Sequence, residues 1–471
     1  MSGERRRPRR AAVIGGGIAG LAAAHRLTTL EPGLECVLLE ASDRVGGILR
    51  TNRIEGYLVE RSADNFVTNY PWGLDLCREL GLVDELLETD PKFRRALVVR
   101  DGRLHPVPAG FQLMTPSQLG PLIMSPLLGI VGKLRVLAEY FVPPRRDPSD
   151  ESLESFAVRR LGREAYERLV QPLVGGIYTA DPKQLSMQAA LPRFCELERE
   201  HGGLIRAARK VGRQEQAAQR ESSGARYSLF VAPRDGMQRI VDALVAAIPS
   251  GTIRLNAPVS RLERAAEGWR VTTTDGAAES FDAVVVAVGA PFAARLLEPV
   301  DAALAEDLRG IPYAGASIAV SGYELRQIEH PVDAFGFVVP DVERRAILAA
   351  SFSSRKFPGR APEGCVLIRT FLGGAPRPEM VGLADDEIRA IVGRELGELL
   401  GVRGEPHLFL VQRWDGKMPQ YHLGHVDRTA RIERQAAQLP GLALVGNAYE
   451  GVGVPQCIHS ARRGAERLLG A

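Results

Sequence analysis

Gly15, Gly17 and Gly20 stand in G-x-G-x-x-G spacing directly after the apolar residues Ala11, Ala12, Val13 and Ile14. Residues of this type in this order wrap backbone N–H groups around a pyrophosphate. The first glycine permits a tight turn, and the second removes the side chain where the anion approaches. The third lets a helix pack closely on a strand. Ile18 and Ala19 lie between them, at a helix N-terminus whose partial positive charge favours an anion. Residues 36–39 form a second apolar run that ends in Glu40, 20 residues after Gly20. A carboxylate there accepts hydrogen bonds from a ribose. A glycine-rich turn in another α/β domain is the plainer alternative. The full order of strand, glycines, helix, strand and acid outweighs it.

For these groups to act together, residues 11–14 and 36–39 must be buried parallel strands, with 21–27 as the helix between them. Later segments extend the same pattern. Residues 237–248 read as an amphipathic helix and 253–259 as a strand. Residues 269–274 and 280 onward flank the turn Asp275, Gly276, and 281–288 form a buried strand ending in small residues. Residues 442–445 read as a last parallel strand, followed by the glycine-lined stretch 446–453 and a closing helix from about Gln456. That N-terminus offers a second anion site. The nucleotide-binding unit is therefore expected in three separate pieces. Between them, 74–87 has helical periodicity, and 96–99 with 103–105 form a hairpin around Asp101 and Gly102, a type I′ signal. Several proline-separated helices are expected over 106–220, and 304–435 mixes strands and helices, notably 335–339 and 365–371.

The 471 residues suffice for two or three domains, and 45% hydrophobic with 25% charged content is that of a soluble globular chain. A net charge of +3 gives no reason to expect nucleic acid as a partner. Cys36, Cys77, Cys195, Cys365 and Cys457 are widely scattered, which argues against a disulfide frame or a zinc site and suits a reducing cytoplasm. No metal site is expected. Arginines at 5–7, 9 and 10 before an apolar run resemble a secretion signal. Three consecutive glycines and the acid-bearing strand that follow argue instead for a solvated basic tail. No apolar run reaches the ~18 residues of a membrane span. The most apolar part of the proline-rich region, 121–131, is followed by Lys133, Arg135, Arg145 and Arg146. Two readings stay open for it, a buried helix pair and an interfacial segment lying on a bilayer.

The chain as a whole resembles the oxygen-dependent protoporphyrinogen and coproporphyrinogen oxidases of haem synthesis, within the wider amine oxidase and phytoene desaturase group. The first 50 residues are similar to that whole group, including the second glycine turn around Arg44, Gly46 and Gly47 after the acid. Such a turn separates FAD-dependent members from nicotinamide dehydrogenases. The more specific resemblance lies in 169–187, around Gly175, Gly176, Ile177, Tyr178, Asp181, Leu185 and Ser186. Trp414, Pro419, Gln420, Tyr421, Gly424, His425, and Gly446, Asn447, Gly451 and Gly453 resemble later blocks.

The resemblance implies an α/β fold with an FAD-binding Rossmann-like domain assembled from discontinuous segments, 1–80, 225–300 and 436–471. It adds a mixed-sheet substrate domain, 81–106 and 301–435, and a helical membrane-associating domain, 107–224. It implies FAD as cofactor, held by Gly15, Gly17, Ile18, Ala19, Gly20, Glu40, Ala41, Arg44, Gly46, Gly47 and Val259. The later arm of Gly446, Asn447, Gly451, Val452, Gly453 and Val454 would complete that site. Hydride passes to the flavin from a porphyrinogen methylene bridge and dioxygen reoxidises it to give hydrogen peroxide, so no side chain need be catalytic. The expected substrate is protoporphyrinogen IX, with coproporphyrinogen III as the alternative. A carotenoid desaturase or amine oxidase of the same group and a non-catalytic escort protein are the other readings. Arg61 would meet a substrate propionate, Gly176 the macrocycle, and Val338 and Phe357 the pyrrole rings. Core packing is the plainer reading of the last two. The expected place is the cytoplasm, with peripheral attachment to the inner face of the cell membrane and a second copy of the chain as further partners. Two stretches depart from the family pattern: Ser62, Ala63, Asp64, Asn65 after the arginine, and Val454, Pro455, Gln456 in the last block.

Overall fold

A computed structural model describes residues 8–210 and 230–470. Five parallel strands lie in the order Ile253–Arg254, Glu35–Leu39, Arg10–Ile14, Ala283–Val286 and Leu442–Leu444. The three central strands are nearly continuous runs of alanine, valine, leucine and isoleucine because both sheet faces are covered. Helices Ile18–Leu30, Gln238–Ala247 and Val454–Leu469 bury Leu21, Leu27, Val241, Leu244, Ile458 and Ala461 on one face. Helices Ala290–Leu297 and Ala302–Arg309 cover the other, together with a three-stranded antiparallel sheet centred on Trp269. Residues from three distant parts of the sequence thus form one apolar layer.

The second large element is a seven-stranded mixed sheet. Its order is Leu408–Pro419, Tyr313–Glu324, Cys365–Gly373, Ala349–Phe352, Gly336–Val338, Ala96–Arg100 and Arg103–Pro106. All neighbours are antiparallel except Gly336–Val338 with Ala96–Arg100. Helix Asp385–Leu400 closes one face with Ile388, Val392 and Leu396. A short hairpin, Thr51–Ile54 with Tyr57–Glu60, lies against the other, where Val59 joins Ile318, Val320 and Leu367 in one cluster. The Asp101, Gly102 turn has φ of 51° and 71°, the paired positive values of a type I′ hairpin.

Several boundaries differ from the expectation. The helix expected over 74–87 spans only Trp72–Glu79, because Gly81 at φ 69° ends it. Leu86–Glu88 instead becomes a strand paired with Phe230–Pro233. The strand expected over 253–259 breaks at Asn256, φ 53°, into Ile253–Arg254 and Val259–Arg264. The closing helix starts at Val454 with Pro455 in its first turn, where its missing N–H is no loss.

Residues 107–210 are mainly short helices around a separate cluster that includes Leu122, Leu127, Leu128, Phe156, Leu161 and Val174. Inside this region Arg160 and Glu139 form an ion pair with no solvent exposure, and Arg160 also meets Glu198 at 3.3 Å. The stretch 121–131 is divided between buried and exposed side chains. Leu122, Leu127 and Leu128 are buried, while Met124 is 83%, Ile130 78% and Val131 80% exposed. Arg135 is not a free basic flank, since it donates to the carbonyls of Arg159 and Arg160. No helix among the described residues is long and apolar enough to cross a membrane. The expected basic tail at residues 5–7 and the boundary at 224–225 lie outside the described residues.

Candidate functional site

The strand Arg10–Ile14 ends at Gly15, whose φ of 103° and amide bond to the Leu39 carbonyl at 2.9 Å form the tight turn. A Cβ on Gly15 would stand 2.8 Å from the Ala287 carbonyl oxygen, and one on Gly20 only 1.8 Å from that of Gly15. These two glycines serve packing. Gly17 differs: no atom lies within 4 Å of a Cβ built there, and it caps helix Ile18–Leu30 with no side chain on the first-turn amides. The first-turn amides at Ile18 and Ala19 therefore have no side-chain cap and no acidic side chain beside them. Room for a ligand begins where the packing glycines end.

The second glycine turn is bound to the first. Gly46 donates to the Gly16 carbonyl at 2.7 Å, and a Cβ on Gly47 would be 3.2 Å from the Gly17 Cα. Glu40 stands between them, accepting from the Gly16 amide at 2.6 Å and from the Ser42 amide and hydroxyl at 2.9 and 2.6 Å. Oε1 takes both Ser42 donors, while Oε2, which takes only the Gly16 amide, keeps a lone pair for a further donor. Ala41 is exposed beside it. The Ala257 amide donates to the Glu40 carbonyl at 2.8 Å, which brings the segment ending at Val259 alongside; Val259 itself is 4% exposed and offers backbone rather than side chain. Arg44 lies within the second glycine turn. Its guanidinium donates to the Gly47 and Leu49 carbonyls at 2.8 and 2.6 Å. It braces the glycine turn, because those carbonyls are the nearest acceptors for its fork.

The later arm closes on the same place. Gly446, φ 121°, would bring a Cβ within 4.0 Å of Ala19. The Tyr421 hydroxyl donates to the Asn447 carbonyl at 2.5 Å and accepts from the Gly451 amide at 2.8 Å. Tyr421 in turn stacks on His425 with ring centroids 4.1 Å apart, and His425 Nε2 lies 3.1 Å from the Tyr449 carbonyl. Burial drives the His425 imidazole down to about 4, against the opposing pull of that carbonyl. The ring is neutral at physiological pH. Gly453 caps helix Val454–Leu469 without a side chain, and a Cβ there would meet Gln456 Oε1 at 2.4 Å. That Oε1 is buried with no hydrogen-bond partner among the described residues, an acceptor awaiting a donor. Sequence reasoning found these residues in family-like blocks but had no signal for the Tyr421 clamp or the Gln456 acceptor.

A floor and a wall complete the space. Sheet register aligns Val338, Ala349, Phe371, Ile318 and Gln412 in one row, and Gly336, Ser351, Arg369, Val320 and Leu410 in the next. Helix Gln171–Tyr178 follows a π-helical stretch, Tyr166–Val170, and exposes Gly176. The nearest atom to a Cβ on Gly176 is Val338 Cγ1, 4.0 Å away. Val338 and Val452 both pack on the cluster that holds Val174, so arm, sheet and helix border one apolar cluster. Phe357 is corrected: it is 1% exposed, with Arg360 over its ring at 5.6 Å, and has no surface to present to a ligand. Asp64, from the departing stretch, lies 3.1 Å from Lys356 and 3.3 Å from Arg369. Burial alone raises its carboxyl, but those two cations outweigh it and hold the group at about 2. Arg61 donates to Asn52 Oδ1 at 2.8 Å, and its carbonyl accepts from Trp414 Nε1 at 2.7 Å.

Open space at Gly17, the held acid Glu40 and the orphaned Gln456 acceptor fit the pyrophosphate, ribose and ring of a dinucleotide cofactor. Comparison with known proteins agrees. The chain is 35% identical over 486 residues to a coproporphyrinogen III oxidase of Propionibacterium freudenreichii, covering 98% of this chain and 90% of that one. It is 29% identical over 481 residues to the chloroplastic protoporphyrinogen oxidase of Nicotiana tabacum, covering 97% and 85%. A crystal structure from Exiguobacterium sp. 255-15 matches with a TM-score of 0.86 and 29% identity over 98% of both chains. The sequence model of flavin containing amine oxidoreductases matches residues 18–469. The match over 18–469, with relatives of this identity and coverage, shows that the chain belongs to the flavin containing amine oxidoreductase family.

Proposed function

We propose that this chain is an FAD-dependent porphyrinogen oxidase of haem synthesis, with dioxygen as electron acceptor. Supporting this is one apolar cluster bordered by three elements: the arm through Val452, the sheet row ending at Val338, and the helix presenting Gly176. Bound FAD supplies a two-electron acceptor for hydride from a methylene bridge, and dioxygen carries the electrons on to hydrogen peroxide.

The chain's residues bind, orient and make room. The amides at Gly17, Ile18 and Ala19 would hold the pyrophosphate, and Glu40 the ribose. The uncapped helix start at Gly453 and Val454, with Gln456 Oε1, would hold the polar edge of the ring. Gly46 and Gly47 keep the backbone thin beside the ring, with Arg44 bracing the turn. Residues 1–80, 225–300 and 436–471 then form the cofactor domain around the parallel sheet. Residues 81–106 and 301–435 form the substrate domain. Gly176 lets a flat macrocycle lie against the helix backbone, and Val338 borders it from the sheet. Arg61 fixes a carboxylate away from the reacting carbon. The test supplies protoporphyrinogen IX and coproporphyrinogen III separately under air, following porphyrin fluorescence and peroxide. Oxidation of at least one is expected, and a flavin-loaded preparation that oxidises neither overturns the reading.

We further propose that residues 107–224 rest on a bilayer surface through Met124, Ile130, Val131, Leu134 and Phe141, which are 61–83% exposed. Lys133 lies among them as a basic group for anionic headgroups. Flotation with anionic liposomes checks this. A protein that stays wholly in the soluble fraction, or a patch covered by a second copy in solution, overturns it.

A further inference from the structure

Hairpin register places two arginines side by side. Thr51 pairs with Glu60 and Asn52 with Val59, and the Arg61 amide donates to the Arg50 carbonyl at 2.9 Å. Arg50 therefore stands directly opposite Arg61, and residues opposite one another share a face of the ladder. Asn52 and Val59 lie on that face too. Arg61 Nε donates to Asn52 Oδ1, and Val59 packs into the cluster with Ile318, Val320 and Leu367 of the mixed sheet. The hairpin's own acid points the other way. Glu60 accepts from Thr51 Oγ1 at 2.7 Å and from the Met237 amide at 2.8 Å.

Like charges directly opposite on a sheet are destabilising, so such a pair calls for an anion between them. Among the described residues none is supplied: neither Arg50 nor Arg61 has a carboxylate within 4.0 Å, and Arg50 makes no side-chain hydrogen bond. The neighbouring cations Lys356 and Arg369, by contrast, share the carboxylate of Asp64. Burial, and after it the charge of Arg50, pulls the Arg61 guanidinium below its ordinary range. The Trp414 indole holds the Arg61 carbonyl, which fixes the pair at the rim of the sheet floor. Arg50 is exposed and Arg61 half-buried, one at the mouth and one within.

We propose that Arg50 is a second carboxylate anchor that acts with Arg61 on the propionate edge of the substrate. This rests on the porphyrinogen reading above. Planar guanidiniums on one face match carboxylate oxygens bidentately, which a lone lysine does not. The propionate edge is shared by both candidate porphyrinogens, so the anchor serves either.

The test uses the FAD-loaded full chain and its Arg50→Ala, Arg50→Lys, Arg61→Ala and double Arg50→Ala/Arg61→Ala variants. Arg50→Ala should raise KM about tenfold with kcat little changed, as for binding lost equally from ground and transition states. Arg50→Lys should recover part of that loss. The double variant should deviate from additivity, because the two groups share one ligand. KM of the unaltered protein should rise with ionic strength, and less so for Arg50→Ala. Equilibrium binding of coproporphyrin III and protoporphyrin IX, and of their methyl esters, is read by fluorescence independently of turnover. The free acids should bind more tightly than the esters, and Arg50→Ala should remove most of that preference. An Arg50→Ala protein with unchanged KM and unchanged acid-over-ester preference overturns the proposal. So does one that loses only FAD affinity, which would assign Arg50 to the cofactor. Should the unaltered protein oxidise no porphyrinogen yet bind the acids through Arg50, the functional reading fails and the anchor stands. Should it bind none, both fail.

Discussion

Tyr421 and Asn447 are joined by a hydrogen bond of 2.5 Å from phenol to backbone carbonyl, and the same phenol oxygen takes the Gly451 amide. One buried side chain thus fixes both ends of the turn 447–451. Burial keeps the phenol well above its ordinary range, so it remains a donor throughout the working pH range. Tyr421→Phe leaves a carbonyl and an amide without partners, at about 1–3 kcal/mol. The expected outcome is a folded protein with weaker FAD retention and a lower melting temperature. Gel filtration followed by flavin absorbance, alongside a thermal melt, measures both.

Gly17 and Gly20 should separate cofactor binding from folding. A methyl on Gly20 would collide with the Gly15 carbonyl, while one on Gly17 meets no protein atom. Gly20→Ala should therefore destabilise the protein even without FAD. Gly17→Ala should change the stability of the flavin-free protein by no more than about 1 kcal/mol, yet lower FAD affinity at least about tenfold, near the value of one charged hydrogen bond. Equal effects of the two substitutions in the flavin-free melt would contradict this division of roles.

Gly176→Ala is expected to stabilise the fold and slow the enzyme. The added methyl has only Val338 Cγ1 at 4.0 Å as a neighbour, and alanine is preferred over glycine inside a helix by about 1 kcal/mol. A macrocycle seated against that backbone would be pushed outward, and hydride transfer needs its atoms ~3–3.5 Å apart. Turnover and melting temperature should move in opposite directions.

His425 should make stability fall with acidification. Its folded value near 4 lies below the ordinary 6.5, so the unfolded chain binds more protons between those limits. Stability from this group is complete above pH 6.5 and is lost as pH falls toward 4, by about 3 kcal/mol across the window. Urea midpoints at pH 7 and pH 5 give the slope, and His425→Gln should flatten it. A slope unchanged by that substitution would place the dependence elsewhere.

The glycine turns were legible in the sequence because each is local. Gly15, Gly17 and Gly20 act within six residues, and Asp101 with Gly102 sets its own hairpin whatever surrounds it. Glu40 was legible for the same reason, as the end of one strand. Roles that depend on distant partners were not. Arg44 shows no sign in the sequence of its bonds to the Gly47 and Leu49 carbonyls. Phe357 is offered as a ring contact only through the family resemblance, and its burial beneath Arg360 agrees with the plainer reading of core packing. The opposition of Arg50 and Arg61 appears only with hairpin register, and the grip of Tyr421 on Asn447 spans 26 residues. The helix over-extended to 87 shows local periodicity yielding to a strand pairing with residues 230–233.

The parallel sheet places the strand at Leu442–Leu444 beside Ala283–Val286 and sets helix Val454–Leu469 against the first helix. On the ribosome, these are the last described elements to emerge. Until they do, Ala283–Val286 has a bare edge of valines, the kind of surface that chaperones cover and that pairs wrongly when left alone. A cradle that needs both glycine arms is therefore complete only once translation has passed residue 454.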